Sequence, residues 1–388
     1  MAADICGRLA RMRAAARNPF SRVSARAIKN PLHHCRVRVE RHFHHPCEGS
    51  PDAVMKTRHS EIVVGVDGGG SSTRALAIAP DGTALGYAVA GSGNRTAVGD
   101  EHAALAITEA VVRALDAADV PRDAPRTLSV ALAGASGTGP DWLSGPLAEN
   151  GVTGRLVIEA DLVAGYLSGT LAEVGYAVVA GTGAIAARVR GRQLEAVADG
   201  LGWLLGDDGS GFQIGLAGVR AAAAELDGRG PATALTSGVL AELDILPPSD
   251  GEERDGHRRP RLLAALLRRV YAERPVTLAR CARVVSEAAT AGDPVARGIV
   301  DAAAAGLART LIAVLDVEHP GPIVLGGSVL AHQPIVVDAL RTALPEGAEL
   351  TTVPDGAVGS AILALAHAGL PVDAERWARI HSTLATLR

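Results

Sequence analysis

The sequence predicts an α/β protein built from two duplicated domains that face each other across a cleft. An apolar strand, a glycine turn and two further strands occupy Ile62–Ala90. The same strand, turn and hairpin pattern returns at Tyr176–Gly200, and largely helical sequence follows it. Strands that alternate with helices are typical of α/β folds, and the recurrence of one unit indicates duplication.

The first copy consists of the predicted strands Ile62–Val66, Thr73–Ala79 and Ala84–Ala90. Their alternating apolar residues indicate strands, and Pro-Asp-Gly-Thr at 80–83 is a turn signal between the last two. The elements predicted to follow are a helix at about Glu101–Ala117, a buried strand at Leu128–Ala133, a short helix at about Asp141–Glu149, a strand at Arg155–Glu159 and a helix from Asp161.

The second copy leads into a helical region. Its predicted helices are Phe212–Ala224, Pro260–Arg268, Thr277–Ala291 and Pro294–Leu315, followed by the strands Ile323–Leu325 and Glu349–Val353 and the helix Val358–His367. The polar, Gly- and Pro-rich segment Leu246–Pro260 is expected to be a mobile loop. We therefore predict an N-terminal domain at residues 55–171, a C-terminal domain with a helical insertion at 172–370, and a helix within 371–388 that packs back on the first domain.

The composition is that of a soluble protein. A chain of 388 residues with 48% hydrophobic content can bury one or two cores, and it contains no apolar run long enough to cross a bilayer. The net charge of −4 argues against nucleic-acid binding. Cys281 is the single cysteine after residue 54, which predicts no disulfide framework and suits the cytoplasm.

Residues 1–54 differ from the rest of the chain. They hold ten Lys or Arg against four Asp or Glu, and they lack apolar periodicity. We expect Met55 to be the true start, with the preceding segment a disordered tail or translated upstream sequence. A functional tail, a targeting signal and a metal site in the His- and Cys-containing cluster His33–Cys47 are the alternatives.

Three glycine turns each follow an apolar strand, at Gly68–Ser72, Gly181–Gly183 and Gly326–Ser328. Such turns expose backbone N–H groups that can cradle phosphates. Any one of them alone is as well explained by an ordinary hairpin, but together they indicate a nucleotide site. Lysine does not occur after Lys56. That absence excludes a P-loop lysine, a protein-kinase lysine and Schiff-base chemistry in the body of the chain.

The stretches VDGGGSSTRALA, AGTGAIAA and VLGGSV resemble the two phosphate motifs and the adenosine motif of the actin, hexokinase and Hsp70 superfamily. The stretches EADLVAGYLSG and GWLLGDDGSGFQIG are similar to the N-acetylglucosamine kinase branch of the BadF/BadG/BcrA/BcrD ATPase family. The resemblance covers Val63–His367. It implies ribonuclease H-like (actin-like ATPase) domains, ATP and Mg²⁺ as cofactors, and phosphorylation of the 6-hydroxyl of an amino sugar, N-acetylglucosamine or glucosamine. It also suggests a homodimer as the assembly to test.

The resemblance assigns roles to individual residues. Asp161 matches the general base that takes the proton of the sugar hydroxyl, and Asp67 matches the aspartate that positions Mg²⁺, usually through water. The residues assigned to ATP are Gly68, Gly69, Gly70, Ser71, Ser72, Thr73, Gly181, Thr182, Gly183, Gly326, Gly327 and Ser328. Those assigned to the sugar, besides Asp161, are Asn94, Ser136, Asp207 and Ser210, with Asp208 nearby.

Structural roles compete with these assignments. Asp161 precedes an apolar helical run and could cap that helix, and Asp67 could cap a turn. The sequence also departs from the vertebrate kinases of this branch, which have Ser and Asn where Ala184 and Ile185 stand. That departure leaves glucosamine, N-acetylglucosamine, N-acetylmuramic acid and other hexoses open as substrates.

Two other functional classes fit the sequence less well than an enzyme of sugar metabolism. An ATPase that activates a radical dehydratase holds an iron–sulfur cluster on cysteines, and Cys281 alone, even doubled in a dimer, supplies too few. A non-catalytic sugar sensor would be expected to carry a DNA-binding helix pair or a damaged catalytic aspartate. Neither feature is present in this sequence.

Overall fold

The computed structural model describes residues 62–134, 141–246, 254, 258–344 and 347–388. The expectations for residues 1–54, for Ser136 and for most of the Leu246–Pro260 loop fall outside these ranges. Residues 58–388 form one compact unit. The domain boundaries derived from the sequence therefore stay a prediction.

The described residues form two five-stranded sheets with the same connectivity. The first contains β1 (Val63–Gly68), β2 (Thr73–Ile78), β3 (Ala84–Ala90), β4 (Thr127–Leu132) and β5 (Arg155–Ala160) in the order β3-β2-β1-β4-β5. The second contains β6 (Val174–Ala180), β7 (Ala184–Arg190), β8 (Gln193–Asp199), β9 (Ile323–Gly326) and β10 (Leu350–Thr352) in the order β8-β7-β6-β9-β10. In each sheet the first three strands are antiparallel and the last two run parallel to the central strand. The duplication predicted from the sequence is confirmed.

Helices connect the strands and cover the sheets. They are α1 (Arg95–Val98), α2 (Asp100–Ala117), α3 (Asp141–Glu149), α4 (Asp161–Gly169), α5 (Gly211–Leu226), α6 (Leu235–Glu242), α7 (Arg261–Ala272), α8 (Ala282–Thr290), α9 (Pro294–Val314), α10 (Ser328–His332), α11 (Pro334–Ala343), α12 (Ala357–His367) and α13 (Ala374–Leu384). None of these helices is long and apolar enough to span a membrane.

Three hydrophobic cores alternate with the sheets. One lies between the outer face of the first sheet and helices α2 and α3. A second lies between the second sheet and helices α5 to α11. The third joins the facing sides of both sheets to α4, α12 and α13. This arrangement makes α4 and α12 the layer shared by the two sheets.

Helix α12 packs unusually closely against its neighbours. A Cβ atom on Gly359 would lie 1.8 Å from the carbonyl oxygen of Ala164 in α4, and one on Gly65 of β1 would lie 2.1 Å from the Ala361 nitrogen. The Ser168 hydroxyl accepts a hydrogen bond from the Gly359 N–H at 2.9 Å and donates one to the Ala164 carbonyl at 3.0 Å. The two helices are therefore in direct backbone contact, which only glycine at 359 allows.

Several details differ from the sequence prediction. The single helix expected at Thr277–Ala291 is a 3₁₀ segment, Pro275–Cys281, followed by α8. The 3₁₀ segment packs against α5, where a Cβ on Gly215 would lie 2.0 Å from the Leu278 carbonyl oxygen. Helices α1, α6, α10 and α11 were not predicted.

Helix α13 contacts the β2–β3 turn, and its Thr383 hydroxyl accepts a hydrogen bond from the Ala84 N–H at 2.9 Å.

The contact at Gly359 gives a stability prediction. We expect Gly359→Ala to lower the free energy of unfolding by about 3 kcal/mol or more, since the added methyl group overlaps a backbone oxygen that cannot rotate away. Gly298→Ala is the matched control, because it lies in α9 with no atom within 4 Å of its Cβ position. That change should raise stability by about 0.5–1 kcal/mol. Denaturant unfolding of both variants measures this, and equal effects would contradict the close packing.

Candidate active site

The parallel strands of the first sheet end in one row. Gly68 of β1 is paired with Leu132 of β4, which is paired with Ala160 of β5. The residues that follow them, Gly69 and Asp161 among them, therefore leave the sheet at the same edge. In α/β sheets, ligands bind at the carboxyl ends of the strands. The sequence-predicted base and the first glycine turn are thus brought to one edge.

Asp67 links this edge to the start of α12. Its Oδ2 accepts a hydrogen bond from the N–H of Gly356, the residue before α12, at 2.9 Å. A side chain at Gly356 would crowd the carboxyl group, since a Cβ there would lie 3.2 Å from its Cγ. The pKa of Asp67 is raised to about 6, chiefly by burial and also by the nearby Asp355 and Asp161 carboxylates, while the Gly356 N–H and Arg74 act to lower it.

Asp161 is the first residue of α4, and Ala160 is the N-cap. The alternative in which Asp161 is the N-cap residue is therefore wrong, because Asp161 lies within the first turn. Its Oδ1 accepts a hydrogen bond from the Leu162 N–H at 2.8 Å, and no other described residue donates to Oδ2. Burial raises the pKa of this carboxyl group, while the Leu162 amide lowers it. The geometry leaves one carboxylate oxygen available to an external proton donor.

The first glycine turn presents unused amides. The Gly69 N–H closes the turn by donating to the Ser72 carbonyl at 3.0 Å. In the described part of the chain, the N–H groups of Gly70, Ser71 and Ser72 donate to no protein acceptor. Gly70 and Ser71 are exposed. The turn therefore has the free donors that an anion needs.

The second and third glycine turns lie side by side. Strands β6 and β9 are parallel neighbours with Val179 opposite Gly326, and a Cβ on Gly181 would lie 3.6 Å from the Ser328 hydroxyl. Gly327 adopts φ +84°, and a Cβ there would lie 2.5 Å from the Ala180 carbonyl oxygen. Among the described residues, the N–H groups of Thr182 and Gly183 have no acceptor. These two turns form one surface at the carboxyl end of the second sheet.

Asp207 lies against the second turn. Its Oδ1 accepts a hydrogen bond from the Ala184 N–H at 3.2 Å, and a Cβ on Gly183 would lie 3.0 Å from its Oδ2. Burial raises the pKa of Asp207, the Ala184 amide lowers it and the Asp199 carboxylate raises it. Asp208 is exposed and pairs with Arg309 at 3.2 Å.

Asp199 holds the loop that carries Asp207. Its Oδ1 accepts from the Asp207 N–H at 2.6 Å and its Oδ2 from the Asp208 N–H at 2.9 Å. Asp199 and Asp207 both adopt positive φ, at +64° and +60°. Sequence reasoning missed Asp199, since nothing in its local context distinguishes it from any strand-end aspartate.

Two residues predicted to bind ligands have other partners. The Ser210 side chain is fully buried and accepts a hydrogen bond from the Gln213 N–H at 3.2 Å, which makes it the N-cap of α5. The Thr73 side chain is also fully buried, and its hydroxyl donates to the Gly91 carbonyl at 2.8 Å. The resemblance assigns Ser210 to the sugar and Thr73 to ATP, and in the structure both hydroxyl groups have these protein partners.

Asn94 begins α1. Its Oδ1 accepts hydrogen bonds from the N–H groups of Thr96 and Ala97 at 2.9 and 3.2 Å. The side-chain NH₂ group donates to no described residue, so it is the part of Asn94 left for a ligand. Ser136 lies outside the described residues.

A buried carboxylate stands beside Asp67. Asp355 has 5% of its side chain exposed, and its Oδ2 lies 3.4 Å from Arg74 Nε and 2.6 Å from Arg388 Nη2. Its Oδ1 accepts from the Ala357 N–H at 3.0 Å. The two arginines offset its charge. Asp355 is therefore a structural neighbour of Asp67 whose oxygens are already used.

These residues fit a nucleotide with a water-coordinated divalent cation. The free amides of the glycine turns suit phosphate oxygens. Over the described ranges, no three His, Cys, Asp or Glu side chains come together as a metal cage. Mg²⁺ commonly keeps several waters and uses one or two carboxylates together with phosphates. Asp67 would hold such an ion and the glycine turns the phosphates.

Residues 64–364 match the profile of the BadF/BadG/BcrA/BcrD ATPase family. The chain belongs to this family. The match covers both sheets, the three glycine turns, Asp67 and Asp161, and it confirms the resemblance inferred from the motifs. Membership of an ATPase family also implies the use of ATP.

Two relatives that align with most of this chain are named as sugar kinases. An N-acetyl-D-glucosamine kinase from Dictyostelium discoideum is 27% identical over 330 residues, which cover 79% of this chain and 98% of the relative. An N-acetylmuramic acid/N-acetylglucosamine kinase from Clostridium acetobutylicum is 24% identical over 313 residues, 78% of this chain and 98% of the relative.

Solved structures confirm the fold. A Chromobacterium violaceum protein, provisionally assigned as an N-acetylglucosamine kinase, is 26% identical with a TM-score of 0.60, and the match covers 79% of this chain and 99% of that one. A provisionally assigned counterpart from Porphyromonas gingivalis is 20% identical with a TM-score of 0.59, over 79% and 99% of the two chains. The predicted pair of actin-like ATPase sheets is therefore the fold of this chain.

The hydrogen bonds at Asp199 give a second stability prediction. We expect Asp199→Asn to lower the free energy of unfolding by about 1–2 kcal/mol, because one backbone N–H then faces an NH₂ group instead of an acceptor. Asparagine tolerates positive φ, so the backbone itself is not strained. Asp208→Asn is the control, and loss of its exposed ion pair should cost about 0.5 kcal/mol or less. Equal stability of the two variants in denaturant would refute the role of Asp199.

Proposed function

We propose that this member of the BadF/BadG/BcrA/BcrD family is an ATP-dependent kinase that phosphorylates the 6-hydroxyl of an amino sugar, N-acetylglucosamine or glucosamine. The observation that carries the proposal is Asp161. It is a partly buried carboxylate with one free oxygen at the same edge as the first glycine turn. The names of the two relatives that align over nearly their whole length support a sugar as the phosphoryl acceptor.

Asp161 supplies the base. A sugar alcohol is a weak nucleophile, and a carboxylate that accepts its proton as the new bond forms assists the transfer. The Leu162 N–H fixes Oδ1 and so aims Oδ2. Because burial raises the pKa of Asp161, the ionised carboxylate is a stronger proton acceptor than an exposed aspartate.

In this proposal, Asp67 and the glycine turns bind the cation and the phosphates of the nucleotide. Bound MgATP supplies the phosphoryl group, and its cation offsets negative charge on the phosphates. Asp67, fixed by the Gly356 N–H, would orient the water shell of Mg²⁺. The free amides at residues 70–72 and 182–183 would bind phosphate oxygens, and Gly326–Ser328 would border the adenosine.

On the sugar side, Asn94 and Asp207 are the proposed contacts. The Asn94 NH₂ group can donate to a sugar hydroxyl, and the Asp207 Oδ2 can accept from one. Neutral sugars need both, since each hydroxyl is a donor and an acceptor. We assign Ser210 the task of capping α5, and Asp208 that of pairing with Arg309.

The test is a phosphorylation screen of the purified protein with MgATP. The panel should contain glucosamine, N-acetylglucosamine, N-acetylmuramic acid, glucose and N-acetylmannosamine, with the product position read by NMR. N-acetylmuramic acid is included because the Clostridium acetobutylicum relative is named for it. We expect turnover with an amino sugar and 6-phosphate as the product. Saturable sugar binding without any turnover would favour a non-catalytic sensor instead.

Asp161→Asn tests the base. The change is nearly isosteric and keeps an acceptor for the Leu162 N–H, so we expect unchanged stability and MgATP binding, with turnover reduced on the order of 10²–10⁴. Glu375→Gln is the control, as it removes a carboxylate from the first turn of another helix, α13, and should leave turnover unchanged. Single-turnover rates and calorimetry measure both quantities. Near-normal turnover in Asp161→Asn would rule out this residue as the base.

A further inference from the structure

Helix α1, which carries Asn94 at its start, has no hydrophobic anchor. None of its four residues is buried. The side-chain Oδ1 of Asn94 accepts the hydrogen bonds that cap the helix. The position of the Asn94 NH₂ group must therefore be set by polar contacts that hold the segment at residues 91–98 from outside.

The inner end of this segment is attached to the first glycine turn. The Gly93 N–H and the Ser92 hydroxyl both donate to the Gly69 carbonyl, at 3.2 and 3.4 Å. The Thr73 hydroxyl donates to the Gly91 carbonyl at 2.8 Å. These bonds fix residues 91–93, and the Asn94 N–H continues them by donating to the Ser92 hydroxyl at 3.3 Å, so that only the part of α1 beyond Asn94 needs a further contact.

The outer end is held by Arg95. Its Nε and Nη2 donate to both carboxylate oxygens of Asp100, at 2.8 and 2.7 Å, and its guanidinium carbon lies 4.6 Å from the centre of the Trp142 ring. Asp100 is the first residue of α2 and Trp142 the second residue of α3. One side chain thus joins the starts of three helices.

We propose that Arg95 is a positioning residue for the sugar, which acts by clamping the Asn94 turn between α2 and α3. The inference rests on the proposed function. Bidentate pairing and stacking on an aromatic ring both need the planar guanidinium. Arg95 touches neither the phosphate turns nor Asp161 in the structure, so its influence is confined to the sugar side.

The main test is Arg95→Ala with the sugar that the screen selects. We expect the KM for sugar to rise about tenfold, because the ion pair and the cation–π contact are both lost. Turnover at saturating sugar and the KM for ATP should stay within about twofold of wild type, as expected when binding shared by ground and transition states is removed. A variant that is merely destabilised would show a lower turnover, or weaker binding of both sugar and ATP.

Further variants test the geometry. Trp142→Phe keeps an aromatic face and should behave nearly as wild type, whereas Trp142→Ala should raise the KM for sugar as Arg95→Ala does. The double variant Arg95→Ala/Trp142→Ala should show less than the product of the single effects, since both remove one clamp. Arg122→Ala is the matched control, because Arg122 makes an exposed two-bond pair with Asp116 at 3.2 and 3.1 Å near the other end of α2. It should leave every constant unchanged.

The outcomes separate the two proposals. Absence of turnover by the wild-type protein on the whole panel would overturn the proposed function and this inference with it. An active wild type whose KM for sugar is the same in Arg95→Ala would overturn the inference alone. Equal increases in the KM for sugar and for ATP would also overturn it, since they would show a general structural effect. A selective rise in the KM for sugar, reproduced by Trp142→Ala, is the result expected.

Discussion

The backbone contact between α4 and α12 is the constraint on which the site depends. Gly359 lets the two helices touch, and Gly65 lets α12 lie directly on β1. This packing places the start of α12 beside the end of β1, where the Gly356 N–H reaches the Asp67 carboxylate. It also fixes α4, whose first residue is Asp161. A larger separation of the two helices would pull apart the proposed metal-positioning and base residues.

Each remaining part of the site is held by a short polar contact to a rigid element. Asp199 fixes the loop of Asp207 at the end of β8, and the Gly69 carbonyl holds the segment that leads to Asn94. The residues proposed to bind sugar and those proposed to bind nucleotide are therefore both supported by strand ends. Such support by neighbouring hydrogen bonds is what keeps a binding group within the small tolerance that catalysis allows.

The duplicated meanders and the three glycine turns were predictable from sequence because their signals are local. Apolar alternation and turn residues specify strands β1–β3 within a residue or two, and they specify the extent of the unit β6–β8 as Tyr176–Gly200. The Pro275–Cys281 segment could not be recognised as 3₁₀, since its shape depends on packing against Gly215. Likewise, the true partners of Thr73 and Ser210 lie in the fold, as do those of Asp199 and Asp355, so their roles needed coordinates.

The two sheets share one strand order, yet their turns are not equivalent. In the first sheet, Asp67 precedes the residue pair of β1 and β2 that lies nearest the glycine turn. In the second sheet, Val179 holds the same position before the last pair of β6 and β7. The position in the second sheet is apolar, so the carboxylate proposed to position Mg²⁺ comes from the first half alone. A nucleotide bound as proposed would have one orientation, in which its phosphates and their cation lie beside Asp67.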